Sequence, residues 1–380
     1  MNDVYILGGL RSFIGIKNGI YKNILPEDIA SDLLKILIDK YSITNIDEVI
    51  CGNIIGTGGN ITRLMCLKAG LSNVPAFTID MQCASSMEAI NIASLKIGAG
   101  YSDIIIAGGF ESSSMAPLKY YNKKDFRYCG DGLYTQSQFC LEDYSNEASF
   151  NFAERICKRN KIESDTLNYY TLESHKKAQA AAKSGVLNSI TQSISGSNRD
   201  EGIRKNMNMT LLKRLPKLKK EGINSIGNIS SLNDGAAFIV LCSERFLKDN
   251  NKMPLAKVIS YDKTCVDPLL SPYGAIYSAE NNLKKNNFDI NDISAFEFNE
   301  AFAVVDVLFA QKYSEFLSKY NIFGGALAYG HPYGASGAIN ILHLLKALEI
   351  TKGKYGLSSI AASGGIGTSL IVEYINGDEI

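Results

Sequence analysis

Short apolar runs alternating with amphipathic stretches dominate the first third of the chain. Val4–Leu7 is an apolar run, and residues 29–41 carry their apolar side chains at helical spacing. Residues 49–55, 76–80 and 103–107 read as strands, the last one ending in Gly108-Gly109. Between the latter two, Met87, Ile90, Ala93 and Ile97 recur at helical spacing, and Ala89, Ile92 and Leu95 widen the face. Two strands bracketing a helix at this distance predict a βαβ unit and a layered α/β fold.

From about Pro117 the pattern changes. Residues 120–149 are polar and aromatic with few regular signals, 150–160 and 166–185 look helical, and 189–227 are rich in Lys, Asn and Ser. This stretch reads as an inserted lid over the core. Strand signals resume at 236–242 and 255–261, followed by a helix over 278–286, a strand over 294–298 and a helix over 301–313. A glycine-rich segment, Gly324 to Gly337, leads into a helix over 338–348. Two apolar runs, 356–362 and 367–374, flank Ser363-Gly364-Gly365-Ile366 as a hairpin. The expected organisation is a first half at 1–116 completed by about 226–246, an insert at 117–225 and a second half at 247–380. Both outer thirds hold a strand, a reactive-looking turn and a helix, which hints at duplication.

Composition narrows the function. Lys plus Arg number 39 and Asp plus Glu number 39, so the net charge is zero. A nucleic-acid or membrane-surface binder would need a basic excess, so neither partner is expected. The longest apolar run, 236–242, is far too short for a bilayer span. Asp3 precedes the first apolar run, and no basic n-region or small-residue cleavage site follows, so a cytoplasmic protein is expected. Eight cysteines include no CxxC, and the three histidines show no ligand spacing, which argues against a metal site and for reduced, mostly buried thiols.

Cys83 has the most informative neighbourhood. It stands between a predicted strand and a helix opened by Ser85-Ser86-Met87-Glu88, which fits a capping box with Ser85 as N-cap. Helix N–H groups there are expected to favour the thiolate and lower its pKa. By itself such a cysteine also reads as a small core residue. His331 lies among glycines that let backbone approach a ligand, with Pro332 fixing the turn after it. A histidine in an ordinary surface loop is the competing reading. His175 reads as solvated and His343 as packed. Asn299-Glu300 follows a strand end and can place an amide in a site, or simply cap a helix. No GxxxxGK[ST] or GxGxxG is complete, so P-loop and dinucleotide sites are rejected.

Taken together these segments resemble the thiolase family over nearly the whole chain. Arg11-Ser12-Phe13-Ile14-Gly15 is similar to its opening element, and Gln82-Cys83-Ala84-Ser85-Ser86 to its nucleophile segment. Ala107–Ser112 resembles the glycine pair that follows. Gly227-Asn228 through Ser230, with Leu232–Ala237, is similar to the loop whose serine contacts coenzyme A. Asn299–Ala303 reads NEAFA, the family's motif, and Gly330-His331-Pro332 stands in its histidine motif. The resemblance implies a five-layered α/β/α/β/α fold of two similar halves with an inserted loop domain. It implies Cys83 as nucleophile towards an acyl-CoA thioester, His331 as its base, and Asn299 acting through water on an enolate oxygen. It also implies backbone donors near Cys83 and at Gly365 and Gly367, Ser230 at coenzyme A, no separate cofactor, and a homodimer or homotetramer.

Departures from the family pattern bear on the chemistry. Counting back from the shared glycines puts Ala361 where most members carry a second cysteine that moves the α-proton, and the alternative position is Ala301. Losing a general base costs about 10²–10⁴-fold. Ala84 and Ser86 replace the usual residues after the nucleophile, and residues 143–147 stand near the family's His-Met-Gly element without matching it. Three readings follow: a C-acyltransferase similar to acetyl-CoA acetyltransferase, an acyltransferase to a non-CoA or decarboxylating acceptor, and a non-catalytic acyl-CoA binder or scaffold.

Overall fold

The computed structural model describes residues 2–375 apart from Glu142 and Tyr144, so Tyr144 of the 143–147 segment lies outside the described residues. Two half-sheets organise the backbone. In the first, Ala76–Ile79 runs parallel to Glu48–Gly52, which runs parallel to Ile104–Ser112; Asn233–Ser243 and Val4–Ser12 then add antiparallel. In the second, Ile293–Phe298 runs parallel to Tyr355–Ala362, followed antiparallel by Ile366–Tyr374 and Ala256–Cys265. Apart from the extra parallel edge strand Ala76–Ile79, the order of one parallel and two antiparallel pairings recurs, so the duplication is present in the topology. Three residue pairs, Val4 with Val258, Tyr5 with Lys257 and Ile6 with Ala256, join the half-sheets.

Side-chain alternation explains the layering. In Ile104–Ser112, Ile104 and Ile106 pack with Leu33, Leu37 and Met65, while Ile105 and Ala107 pack with Ile90 and Leu342. In the second half-sheet Leu357 and Ile371 pack with Ile276 and Val304, while Ile360 and Leu370 join the same central cluster as Ile90 and Leu342. Strands buried on both faces need helices on both faces. The layers are therefore helices Pro26–Tyr41 and Ile61–Lys68, a half-sheet, helices Ser85–Gly98 and Ser336–Thr351, a half-sheet, and helices Tyr273–Lys285 and Val304–Lys312. Ser336–Thr351 is apolar around most of its circumference, as a helix between two sheets must be.

The insert holds the helices Ala148–Arg159 and Ser164–Ser184 and docks through apolar contacts, Ile156 and Leu167 on the second half and Ala178 and Leu187 on the central cluster, together with polar ones. Thr191–Gln192 pairs parallel with Arg11–Ser12. The Asp200 carboxylate accepts from Arg11 and from the Ile14 N–H, Glu201 accepts from the Ile16 and Ile20 N–H groups, and Glu154 from those of Ile223 and Asn224. Buried backbone donors are satisfied here by carboxylates rather than by regular ladders.

Several expectations need correction. The strand read over 49–55 stops at Gly52, and the helix read from Ala301 begins at Val304. His175 is 2% exposed, its Nδ1 accepting from the Arg204 N–H at 3.3 Å, because the insert folds over its helix. His343 is buried as expected. Among the described residues, no helix is long and apolar enough to cross a membrane.

Candidate active site

The turn that carries Cys83 is held by side chains on either side of it. Gln82 adopts φ 50°, left-handed backbone that costs a non-glycine residue about 1 kcal/mol or more. The strained turn is fixed by the Asp80 carboxylate, which accepts the Gln82 N–H at 2.8 Å. Ser85 completes it: its Oγ accepts from the Met81 N–H at 2.8 Å and donates to the Gln82 carbonyl at 2.6 Å. The capping box is therefore absent. Ala84 precedes the helix without a side-chain cap, and the Glu88 carboxylate pairs with Lys263 instead. Ser85 shapes the nucleophile's turn rather than capping its helix.

The histidine segment is delivered from the other half of the molecule onto bare backbone. A Cβ added to Gly109 would lie 1.8 Å from the Gly334 carbonyl oxygen, and one added to Gly334 would lie 2.6 Å from that of Gly52. Glycine at both positions lets the 330–335 segment rest directly on the first half-sheet. Two polar ties hold it there: the Gly334 N–H donates to the Glu111 carboxylate at 3.1 Å, and the Ala338 N–H to Ser86 Oγ at 3.1 Å. Glu111 also accepts from the Ile54 and Ile55 N–H groups and from Asn53 Nδ2, so one carboxylate joins three segments. Burial still pushes it up, to about 8, against these donors.

His331 is 1% exposed, and its tautomer follows from its partners. Ser336 Oγ donates to the Pro332 carbonyl at 3.0 Å, so the 2.6 Å contact with His331 Nδ1 makes the ring the donor there. Nε2 is left as the acceptor, 3.4 Å from Asn299 Nδ2. The Asn233 side chain adds a further hold by accepting the His331 N–H at 3.0 Å. Asn299 itself is anchored by its N–H, which donates to the Ser359 carbonyl at 3.0 Å. Its Oδ1 is buried without a protein partner, an acceptor free to bind substrate or water.

Electrostatics keep both reactive groups uncharged. Burial pushes the Cys83 thiol up to about 12; its own N–H and that of Ser363 oppose this, while the Glu111 charge adds to it. The expectation of a lowered pKa is therefore wrong: desolvation outweighs the helix N-terminus. Burial lowers His331 to about 3. The site pairs a neutral thiol with a neutral imidazole.

The remaining expected residues divide. Ser230 is half-buried and bonded through its N–H to the Ala301 carbonyl at 3.0 Å, which ties it to the Asn299 segment. The Gly365 N–H is spent on Ser271 Oγ at 2.9 Å, so it cannot serve as an oxyanion donor, and Gly367 lies within the sheet between Ala361 and Thr264. Gly364 and Gly365 both lie in left-handed backbone in this turn, and it is the Ser363 N–H that favours charge on the Cys83 sulfur. Ala361 presents only a methyl group. Of the other cysteines, Cys51, Cys66, Cys140, Cys157 and Cys242 are buried, whereas Cys129 and Cys265 are exposed rather than core. No group of metal-ligating side chains occurs among the described residues. Ser336, Glu111 and Asn233 were not singled out from sequence. A glutamate inside the buried run 104–112 was the available signal for one of them.

Comparison with known proteins identifies the family. Residues 4–245 match the thiolase N-terminal domain and residues 252–374 the thiolase C-terminal domain. A probable acetyl-CoA acyltransferase of Staphylococcus aureus (strain COL) is 32% identical over 390 residues, covering 98% of this chain and 99% of that protein. The crystal structure of the Bacillus anthracis acetyl-CoA acetyltransferase is similar at a TM-score of 0.92 and 28% identity, with 99% of both chains covered. That of human mitochondrial 3-ketoacyl-CoA thiolase in complex with CoA gives 0.89 and 27%, covering 99% of this chain and 98% of that one. A duplicated half-sheet topology and two matched domains in order along almost the whole length lead to one conclusion: the chain belongs to the thiolase family.

Proposed function

We propose that the protein is an acyltransferase that forms an acyl-Cys83 intermediate from an acyl-CoA thioester and passes the acyl group to an acceptor, most simply a carbon acceptor as in acetyl-CoA acetyltransferases. The observation that carries this reading is the site's polarity. His331 Nε2 is an available base beside the Asn299 amide, whose Oδ1 is buried without a protein partner, and the Cys83 and Ser363 N–H groups favour charge on the Cys83 sulfur.

In the first step the Cys83 proton passes to His331 Nε2 as sulfur attacks the thioester carbon. The oxyanion accepts from the Cys83 and Ser363 N–H groups, and one such donor is typically worth about 10²–10³-fold in rate. The CoA thiolate leaves and takes the proton from His331. In the second step Asn299, through water, polarises the carbonyl of the acceptor thioester, and His331 Nε2, again neutral, is the acceptor for the next proton. The anionic cofactor-like body of CoA would meet the insert stretch 199–220, which holds eight Lys and Arg against Asp200 and Glu201, with Ser230 nearby in sequence.

Ala361 favours a second reading. Its methyl cannot remove an α-proton, so an acceptor that is already nucleophilic, or that loses CO₂, would suit the site. Intact-mass measurement after incubation with acetyl-CoA tests the acyl-enzyme shared by both readings. An acetyl adduct that disappears in Cys83→Ala is expected; no adduct, or one that survives the substitution, would leave a binding or scaffold role.

A further inference from the structure

Asn299 and His331 arrive in the site on separate segments, and the 3.4 Å between Asn299 Nδ2 and His331 Nε2 is too long to hold the pair together by itself. One stretch of chain, 228–233, is hydrogen-bonded to both segments. On one side Ile229 pairs with Phe302 in an antiparallel bridge, the Ser230 N–H donates to the Ala301 carbonyl at 3.0 Å, and the Ala303 N–H donates to the Asn228 carbonyl at 3.0 Å. These bonds strap the stretch to the residues that follow Asn299. On the other side Leu232 pairs with His331 in a parallel bridge, and Asn233 Oδ1 accepts the His331 N–H at 3.0 Å. Asn233 is fully buried, and both ends of its amide are committed. Oδ1 also accepts from Ser231 Oγ at 2.8 Å, and Nδ2 donates to the Gly15 carbonyl at 2.9 Å. Gly330 closes around it: its φ is 106°, and a Cβ there would lie 2.2 Å from Asn233 Cγ. The backbone that leads into His331 is therefore cast against this one amide.

We propose that Asn233 is a positioning residue: it clamps the His331 main chain to the 228–232 strap and so sets where Nε2 stands against the Asn299 amide. An amide suits this task because it accepts in two directions and donates in another without a charge to desolvate. Ser231, on the exposed face of the strap, steadies the same oxygen from outside. Ser336 orients the imidazole ring, whereas Asn233 fixes the backbone from which that ring projects. The effect on rate rests on the acyl-transfer reading above; the clamp itself does not.

The chain has three histidines, so histidine labelled with heavy nitrogen gives three main-chain N–H signals in a magnetic resonance spectrum, that of His331 being the one lost in His331→Gln. Hydrogen exchange of these signals needs no thioester and reads the clamp directly. The limiting rate of Cys83 acetylation at saturating acetyl-CoA reads its use. Asn233→Ala should speed exchange of the His331 N–H about 10-fold or more, leave those of His175 and His343 unchanged, and slow limiting acetylation roughly 10²-fold at an unchanged half-saturating concentration. Asn233→Asp keeps the accepting oxygen, so the His331 N–H should stay protected and most of the rate should return. This second variant carries the test if the first does not fold: release of the His331 N–H in a folded Asn233→Asp overturns the proposal. So does an unchanged His331 N–H in Asn233→Ala, equal acceleration at all three histidines, or unchanged acetylation once that N–H is released. A wild type that forms no acetyl adduct would strike the acyl-transfer reading instead, and the clamp would stand or fall on exchange.

Discussion

The Arg11 guanidinium and the Asp200 carboxylate meet in two parallel hydrogen bonds of 2.8 and 3.0 Å, with the arginine 1% exposed. The pair fastens the insert to the strand that opens the core, and the guanidinium lies 5.5 Å from the centroid of the Tyr329 ring, just ahead of His331. Its Nε has no partner. Asp200→Ala would leave a buried cation unpaired and free the Ile14 N–H as well. We expect a loss of about 3–5 kcal/mol in chemical denaturation at unchanged slope, against about 1 kcal/mol or less for an exposed pair. A loss in the lower range would mean the pair is not what seats the insert.

Ser336 sets the working tautomer of His331, so its hydroxyl matters although it is far too engaged to touch substrate. Ser336→Ala removes the acceptor for Nδ1–H and lets the proton move to Nε2, where a base is required. The rate of Cys83 acylation is expected to fall roughly 10²-fold, the lower end of what a general base contributes. Ser336→Thr keeps the hydroxyl and should restore most of the rate. Equal losses in both variants would point to packing.

His175 offers a pH test of stability. Burial lowers its folded value to about 4, against about 6.5 when unfolded, so below pH 6.5 the unfolded chain binds a proton that the folded chain does not. The stability it contributes at neutral pH is therefore lost as pH falls through 6.5 towards 4. Relative to His175→Gln, the wild type should lose about 2 kcal/mol between pH 7 and pH 5. Comparison with the variant is essential, because Glu111, Glu297 and Asp306 are shifted upward and act in the opposite sense over this range. A constant difference across pH would show that His175 titrates normally in the folded protein.

Ala361→Cys tests whether a missing base limits carbon–carbon bond formation. If it does, acetoacetyl-CoA formation should rise by about 10²–10⁴-fold while Cys83 acetylation changes little. An unchanged condensation rate would count against Ala361 as the limit.

Hydrophobic periodicity located most of the elements. The helix read at Ser85–Gly98 has the observed ends, and the closing hairpin turns where Gly364 and Gly365 predicted. The insert was less legible because part of its docking runs through Asp200 and Glu201, whose hydrogen bonds leave no periodic trace. The resemblance pointed to Cys83, His331 and Asn299, but their charge states depend on burial, which a local motif does not report. The left-handed Gln82 was invisible for a similar reason: its strain is held by Asp80 and Ser85, and nothing in glutamine itself announces it.

The seam where Gly334 rests on Gly52 and Gly109 has a consequence for how this protein can change. Here a single methyl would have to displace a main chain rather than turn a side chain. The two halves carry the thiol and the imidazole separately, so every altered residue at the seam shifts one reactive group against the other. Exchange of halves with a relative would succeed only where the incoming half presents the same bare backbone. The duplicated topology is thus free to diverge on its outer faces and tightly bound where these glycines join its halves.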